Sequence, residues 1–204
     1  LHEVIRVLDP KPGESFVDGT VGGGGHAREI IARVAPEGTF IGIDCDPTLV
    51  QENKMLAKEH IFIEEGNYAD IGTIIQKHGI RRVNGILLDL GFSSFHVDNA
   101  ARGFSFQYSG PLDMRYDPRS GRSAEEIVNR LGVPELAGII REYGEERAAR
   151  RIAERIVSSR RARRIRTTGE LADIVIGVKG KKKERGLHTA TKTFQAFRMY
   201  VNDE

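Results

Sequence analysis

A chain of 204 residues is long enough for one sizeable core, or for a core with a smaller insertion, and its 39% hydrophobic and 29% charged residues fit a soluble globular protein. No apolar run approaches a bilayer span, so no membrane partner and no leader segment are expected, and the single Cys45 excludes an internal disulfide or a cysteine-built zinc cluster and points to a reducing, cytoplasmic setting. The net charge is only +2, yet residues 141–192 carry sixteen Lys and Arg against seven Asp and Glu; that segregation points to a polyanion, nucleic acid first, with a solvated face of Glu–Arg pairs as the bland alternative.

Val4, Ile5 and Leu8 share one side of a helix predicted over residues 1–8, which Asp9-Pro10-Lys11-Pro12-Gly13 ends. A short strand over 14–17 then runs into Asp18 and the glycine-rich stretch Gly19-Thr20-Val21-Gly22-Gly23-Gly24-Gly25-His26. Ala27, Ile30, Ile31 and Val34, spaced three or four apart, continue it as a helix. Strand, glycine loop and helix open a nucleotide-binding α/β fold, because glycines let the backbone turn tightly and approach a ligand with no Cβ in the way. Gly22-x-Gly24-x-x-Ala27 also satisfies the dinucleotide spacing, so NAD stays open as a rival; the lack of Gly-Lys-Ser/Thr argues against a P-loop. Asp18 supplies an asymmetry: an acid before the glycines suits a ligand with a positive end, such as the amino group of S-adenosylmethionine, and repels a pyrophosphate.

The second strand, over 39–43, ends in Asp44, where a carboxylate can hold both hydroxyls of a ribose. Asp46 caps and Pro47 opens a helix expected to reach about residue 59. A third strand over 61–64 leads to Tyr68, a helix over 70–78 follows, and the apolar run over 83–88 reads as a buried parallel strand ending at Asp89. Strands alternating with helices predict a doubly wound, Rossmann-like α/β sheet whose ligands sit beyond the carboxyl ends of the strands, where Asp18, Asp44, Tyr68 and Asp89 all fall.

Residues 91–118, rich in Ser, Gly and aromatics, read as a long functional loop. From there the pattern is helical. Ser123-Ala124-Glu125-Glu126 forms a capping box, Thr167-Thr168-Gly169-Glu170 caps a later helix, and helices are expected over 134–143, 145–161, 171–176 and 191–201. The second of these turns Ala148, Ala149, Ile152, Ala153, Ile156 and Val157 inward and sends Arg147, Arg150, Arg151 and Arg155 elsewhere. Lys181-Lys182-Lys183 sits in a loop. The expected division is an α/β domain over 1–118, an all-helical insertion over 119–187, and a return helix over 188–204.

Read together, Asp18-Gly19-Thr20 with Gly24-Gly25-His26, Leu87-Leu88-Asp89-Leu90-Gly91, Ser93-Ser94, Arg102-Gly103-Phe104-Ser105-Phe106, Gly110-Pro111-Leu112-Asp113-Met114-Arg115, Tyr143-Gly144-Glu145-Glu146 and Thr193-Phe194-Gln195-Ala196-Phe197-Arg198 closely resemble the RsmH/MraW family of small-subunit ribosomal RNA cytosine-N4 methyltransferases. The likeness spans nearly the whole chain. It implies S-adenosyl-L-methionine as methyl donor and, as acceptor, a cytidine in the decoding region of 16S rRNA, free or in the small ribosomal subunit. It carries donor binding onto Gly24, Gly25, His26, Asp44, Tyr68 and Asp89, and onto His96, which stands in Ser93-Ser94-Phe95-His96 where the family has Ser-Ser-Pro-Gln. The family's opening His-x-Pro-Val is missing before Leu1, and Glu204 falls in the helix that leads to a fifth strand, so a truncated piece with an open sheet edge is expected.

The reaction needs the poorly nucleophilic cytosine N4 to be polarised by hydrogen-bond acceptors. Asp89-Leu90-Gly91-Phe92 has the acid-x-x-aromatic spacing of amino-methyltransferase motifs, which would let Asp89 or the Leu90 carbonyl accept from N4 while Phe92 stacks the base beside Ser93. Asp113 is a second candidate acceptor of the amine proton and Arg115 a phosphate holder, unless the two simply pair with each other. Arg150, Arg151 and Lys182 suit the RNA backbone. The histidines show no metal spacing and no metal is expected. A NAD-dependent oxidoreductase and a non-catalytic RNA-binding relative remain the rival readings, and monomer and homodimer are both open.

Overall fold

The computed structural model describes residues 1–91, 94–180 and 188–204, with residue 94 described for its backbone alone. The chain divides into two compact units, Leu1–Ser93 and Ser94–Glu204.

The first unit runs α1 (His2–Leu8), β1 (Ser15–Asp18), α2 (Gly25–Val34), β2 (Thr39–Asp44), α3 (Pro47–Asn53), β3 (Ile61–Glu65), α4 (Ile71–Lys77) and β4 (Gly85–Leu87). The strands lie in the order β3-β2-β1-β4, every pair parallel, with Val17 opposite Ile41 and Ile86. Side chains alternate across a strand, so each sends its apolar residues to both faces. Phe16, Phe40 and Ile61 meet Ile5, Ala27, Ile30, Ile31 and Val34 on one face, while Val17, Ile41 and Ile43 meet Phe62, Ile71, Ile74 and Ile75 on the other.

The structure corrects two element predictions here. The helix opened by Asp46, whose carboxylate accepts from the Thr48 amide at 2.9 Å, ends at Asn53 and not near residue 59. It tightens into a 3-10 turn over Lys54–Leu56, after which Lys58 bridges to Ile61 to start β3. The run at 83–88 gives a parallel strand of only Gly85–Leu87, and it is not buried: Ile86 is 45% and Leu88 43% exposed. Apolar composition alone cannot separate a central strand from the outer one that β4 is.

The second unit contains α5 (Ser94–Asp98), α6 (Ala124–Arg130), α7 (Val133–Glu142), α8 (Ala149–Ala162), α9 (Thr168–Lys179) and α10 (Thr191–Asn202). Its core gathers Leu136, Ile140, Ile152, Ile156, Leu171 and Val175 with Leu112, Met114, Phe194 and Phe197. The last four place residues 94–118 and 188–204 with the helices, so the observed division falls at 93/94 where 118/119 was expected. The Ser123 capping box forms, with Oγ accepting from the Glu126 amide at 3.3 Å. α9 is longer than expected because a second capping box, Thr167 with Glu170, starts it at Thr168 and it continues to Lys179. α8 starts at Ala149, later than expected, since Glu145 turns with φ 49° and the Glu146 carboxylate accepts from the Ala148 amide at 2.9 Å. Gly144 is required between them: a Cβ there would lie 2.4 Å from the Lys192 carbonyl oxygen. Burial opposes the charge on Glu146, but its 2.5 Å pair with Lys179 and the Ala148 amide hold its carboxyl below the usual range.

Asn202 joins the 94–118 segment to the last helix. Its Nδ2 donates to the Met114 carbonyl at 2.8 Å and its Oδ1 accepts from the Tyr116 amide at 2.7 Å. Asn202→Ala removes both of these hydrogen bonds and is expected to cost about 1–3 kcal/mol, read as a lower denaturant midpoint at unchanged slope.

Candidate functional site

The carboxyl edge of the first unit's sheet is built around the glycine loop between β1 and α2. The loop is tied down from the second strand: the Val21 amide donates to the Ile43 carbonyl at 2.9 Å, and the Gly22 amide to Asp44 Oδ2 at 2.9 Å. The other Asp44 oxygen accepts from the Asp46 amide at 2.9 Å, so this carboxylate orders two loops at once. Gly24, the N-cap of α2, has φ 75°, and a Cβ on it would lie 2.1 Å from Asn53 Oδ1, so both conformation and space require glycine.

Asp18 ends β1 and is buried. Its Oδ1 accepts from the Thr20 amide at 3.1 Å, while Oδ2 is buried without a partner among the described residues. Desolvation raises its pKa from 3.8 to about 6, opposed by the Thr20 hydrogen bonds and reinforced by the charges of Asp44 and Asp89. The carboxylates of β1, β2 and β4 are thus close enough to feel one another. Thr20 links two of the strand ends, its Oγ1 accepting from the Asp89 amide at 2.7 Å and lying 3.5 Å from Asp18 Oδ1. His26, in the first turn of α2, has Nδ1 3.7 Å from Asp89 Oδ2 and a buried Nε2 without a partner among the described residues. Tyr68 follows β3, half exposed, and a Cβ on Gly19 would lie 3.1 Å from its Cβ. The first unit therefore brings together Asp18, Gly24, Gly25, His26, Asp44, Tyr68 and Asp89.

The remaining predicted residues are elsewhere. Phe92, Ser93 and Lys182 lie outside the described residues. His96 is in the second unit, buried among the rings of Phe104 at 4.9 Å and Tyr116 at 5.0 Å. Asp113 and Arg115 form a bidentate pair in that unit, Nε to Oδ1 and Nη2 to Oδ2 both at 2.7 Å, which pushes the guanidinium pKa further up. Both Asp113 oxygens are engaged, the internal pairing that the sequence left open. On α8, Arg150 pairs with Glu154 at 3.1 Å, whereas Arg151 donates to the Val178 carbonyl at 2.8 Å in the last turn of α9.

Sequence reasoning missed Asn53. It is buried, and its Nδ2 donates to the Gly22 carbonyl at 2.7 Å and the Leu49 carbonyl at 2.9 Å. Arg28 holds the next carbonyl, Gly23, at 2.9 Å. The available signal was an asparagine at the end of the helix after the second strand, which no motif marks. The cluster as a whole is anionic, partly dehydrated and lined by exposed backbone. It suits a cationic ligand and opposes a diphosphate, which would add charge of the same sign beside Asp18.

A family model described as the MraW methylase family matches residues 1–204. Among curated proteins, the ribosomal RNA small subunit methyltransferase H of Syntrophotalea carbinolica is 50% identical over 207 residues, covering 100% of this chain and 66% of its own. The proteins of the same name from Deinococcus radiodurans and Geotalea uraniireducens are each 47% identical, covering 99% of this chain and 63% and 66% of their own length. The chain spans slightly less than two thirds of these relatives.

Because the folded pKa of Asp18 is raised, the stability this group contributes is complete below pH 3.8 and is lost as pH rises through about 6. Asp18→Asn is therefore expected to be more stable than the parent at pH 7, by up to about 3 kcal/mol, with the difference vanishing near pH 4 in denaturant titrations. Asn53→Ala is expected to cost about 1–3 kcal/mol and to speed amide hydrogen exchange in the glycine loop.

Proposed function

Since the chain belongs to the MraW methylase family, we propose that it binds S-adenosyl-L-methionine at the carboxyl edge of its parallel sheet and that the protein transfers the methyl group to N4 of a cytidine in the decoding region of small-subunit (16S) rRNA. The observation that carries this reading is Asp18, a buried carboxylate with an unpartnered oxygen, flanked by Asp44 and Asp89 beside the glycine loop. Those residues fit the donor: an orphaned anionic oxygen can take the ligand's ammonium, and the backbone at Gly24 is too crowded by Asn53 for any side chain. Bound there, adenosylmethionine supplies an electrophilic methyl on a cationic sulfur.

The chain's own work is alignment and charge. Asp44, fixed by the Gly22 and Asp46 amides, is oriented to accept from ribose hydroxyls. Tyr68, 39% exposed and with its Cβ beside Gly19, is assigned to the adenine. Asp89, with its backbone pinned by Thr20 and a largely exposed carboxylate, is the acceptor available to draw the amine N–H groups and let N4 pyramidalise; Phe92 and Ser93 are assigned to the base. His26 faces Asp89 as a binding partner and not as a base. Asp113 is assigned to ordering its loop, because Arg115 takes both of its oxygens. His96 is retained as a donor contact of the same proposal, and the arginine-rich second unit as the RNA-binding part, reached from a small-subunit rRNA or particle in the cytoplasm. Among the described residues no helix is long and apolar enough to cross a membrane.

Calorimetry with the chain is expected to give saturable adenosylmethionine binding and none with NAD; the reverse would return the oxidoreductase reading. Asp44→Ala is expected to weaken donor binding about tenfold or more. Since a cationic ligand favours ionised Asp18, affinity is expected to fall as pH drops below about 6, with proton release on binding seen as a buffer-dependent enthalpy. In the full-length protein, tritium from the donor's methyl is expected in N4-methylcytidine of small-subunit rRNA; donor binding without transfer would favour the non-catalytic relative.

A further inference from the structure

Most arginines of the second unit are already occupied. Arg160 donates to the Val128 carbonyl at 2.7 Å, Arg164 pairs with Glu125 at 2.6 Å, Arg163 pairs with Glu170, and Arg151 is spent on Val178. A surplus of positive charge is therefore a poor map of an RNA interface, and the question is where uncommitted guanidinium lies beside a concave surface.

One place combines the two. A groove of about 580 Å³ runs between α7 and α8, floored by Val133, Pro134 and Gly138 and walled by Arg141, Arg150 and Glu154. The floor drops to backbone level at Gly138, where a Cβ would meet nothing within 4 Å. The Arg141 side chain is exposed and has no hydrogen-bond or ionic partner among the described residues. Arg150, with its side chain 78% exposed, is held only by Glu154 one turn along the same helix, a pairing that an incoming phosphate can displace at little cost. Glu154 is the one acid lining the groove.

We propose that this groove is a second RNA-binding site, in which Arg141 and Arg150 grip phosphates of a single-stranded segment flanking the target cytidine while a sugar or base edge lies on the Val133–Pro134–Gly138 floor. It rests on the rRNA reading above and deepens it. The occupant is RNA because the groove places a guanidinium unpaired among the described residues, Arg141 on α7, across from Arg150 on α8, whose exposed pair with Glu154 yields readily to a phosphate, and because the two cations outweigh the groove's single acid. Such contacts position the strand and do not read sequence.

The test is fluorescence anisotropy with a labelled single-stranded RNA oligonucleotide across a salt series, run beside calorimetric donor binding and thermal melts. Gly138→Leu fills the groove without changing charge and replaces glycine with a better helix former. It is expected to weaken RNA binding about fivefold, and Arg141→Glu to weaken it more and to lower the slope of log K against log salt by about one, both with melting not lowered and donor affinity unchanged. Arg155→Glu, exposed on another face of α8, is the charge control and is expected to have under half the effect of Arg141→Glu on log K. Wild-type RNA affinity in Gly138→Leu, an equal loss in Arg155→Glu, or displacement of the RNA by oligoglutamate at matching concentration overturns the groove and leaves the donor site standing. Failure of the wild-type chain to bind adenosylmethionine overturns the functional reading instead.

Discussion

A carboxylate buried at the tip of a parallel strand, with one oxygen unpartnered among the described residues, sets the terms for the first unit. Asp18 sits where desolvation and two neighbouring acids both oppose its charge, and its pKa rises to about 6 as a result. A fold tolerates such a group when something else is organised around it. Here the surrounding structure is over-determined. Thr20 bonds it and also the Asp89 backbone, Asp44 anchors the Gly22 amide, and Asn53 and Arg28 hold successive loop carbonyls. Unpaired polarity and a raised carboxyl pKa, concentrated at one edge of a well-packed sheet, are the features on which the proposed cation site rests.

The loop's rigidity and its emptiness of side chains have one cause. Gly24 must be glycine because its φ is positive and because Asn53 occupies the space a Cβ would need. The same asparagine that excludes a side chain supplies the hydrogen bond that fixes the loop. Donor placement in the proposed function then depends on a residue that touches neither reactant, acting through the backbone it holds.

In the second unit the physics is different. Its core is an ordinary helical one, and its interest is on the outside, where arginines divide into those consumed by carbonyls and carboxylates and those left over. Arg150 and Arg151 are adjacent in sequence and identical in chemistry, yet one lies in an open groove and the other caps a neighbouring helix. An arginine bonded to a carbonyl keeps its charge and four of its five donors, but its orientation is set by the helix end it holds and not by a phosphate.

Much of this was legible in the residues. Strand alternation through Phe16, Val17, Phe40 and Ile41, the glycine run after Asp18, and the acids at successive strand tips follow from period, turn chemistry and local charge, which are properties of short segments. So do the capping boxes at Ser123 and Thr167 and the inner face of α8. What only the tertiary structure decided are relations between distant segments: that residues 94–118 fold with Phe194 and Phe197, that Asp113 is spent on Arg115, and that Asn53 reaches back to Gly22. Sequence encodes what a residue can bond to within a turn or a strand; which of several possible partners it meets is settled by packing, because a buried polar group takes whichever partner the fold brings within reach.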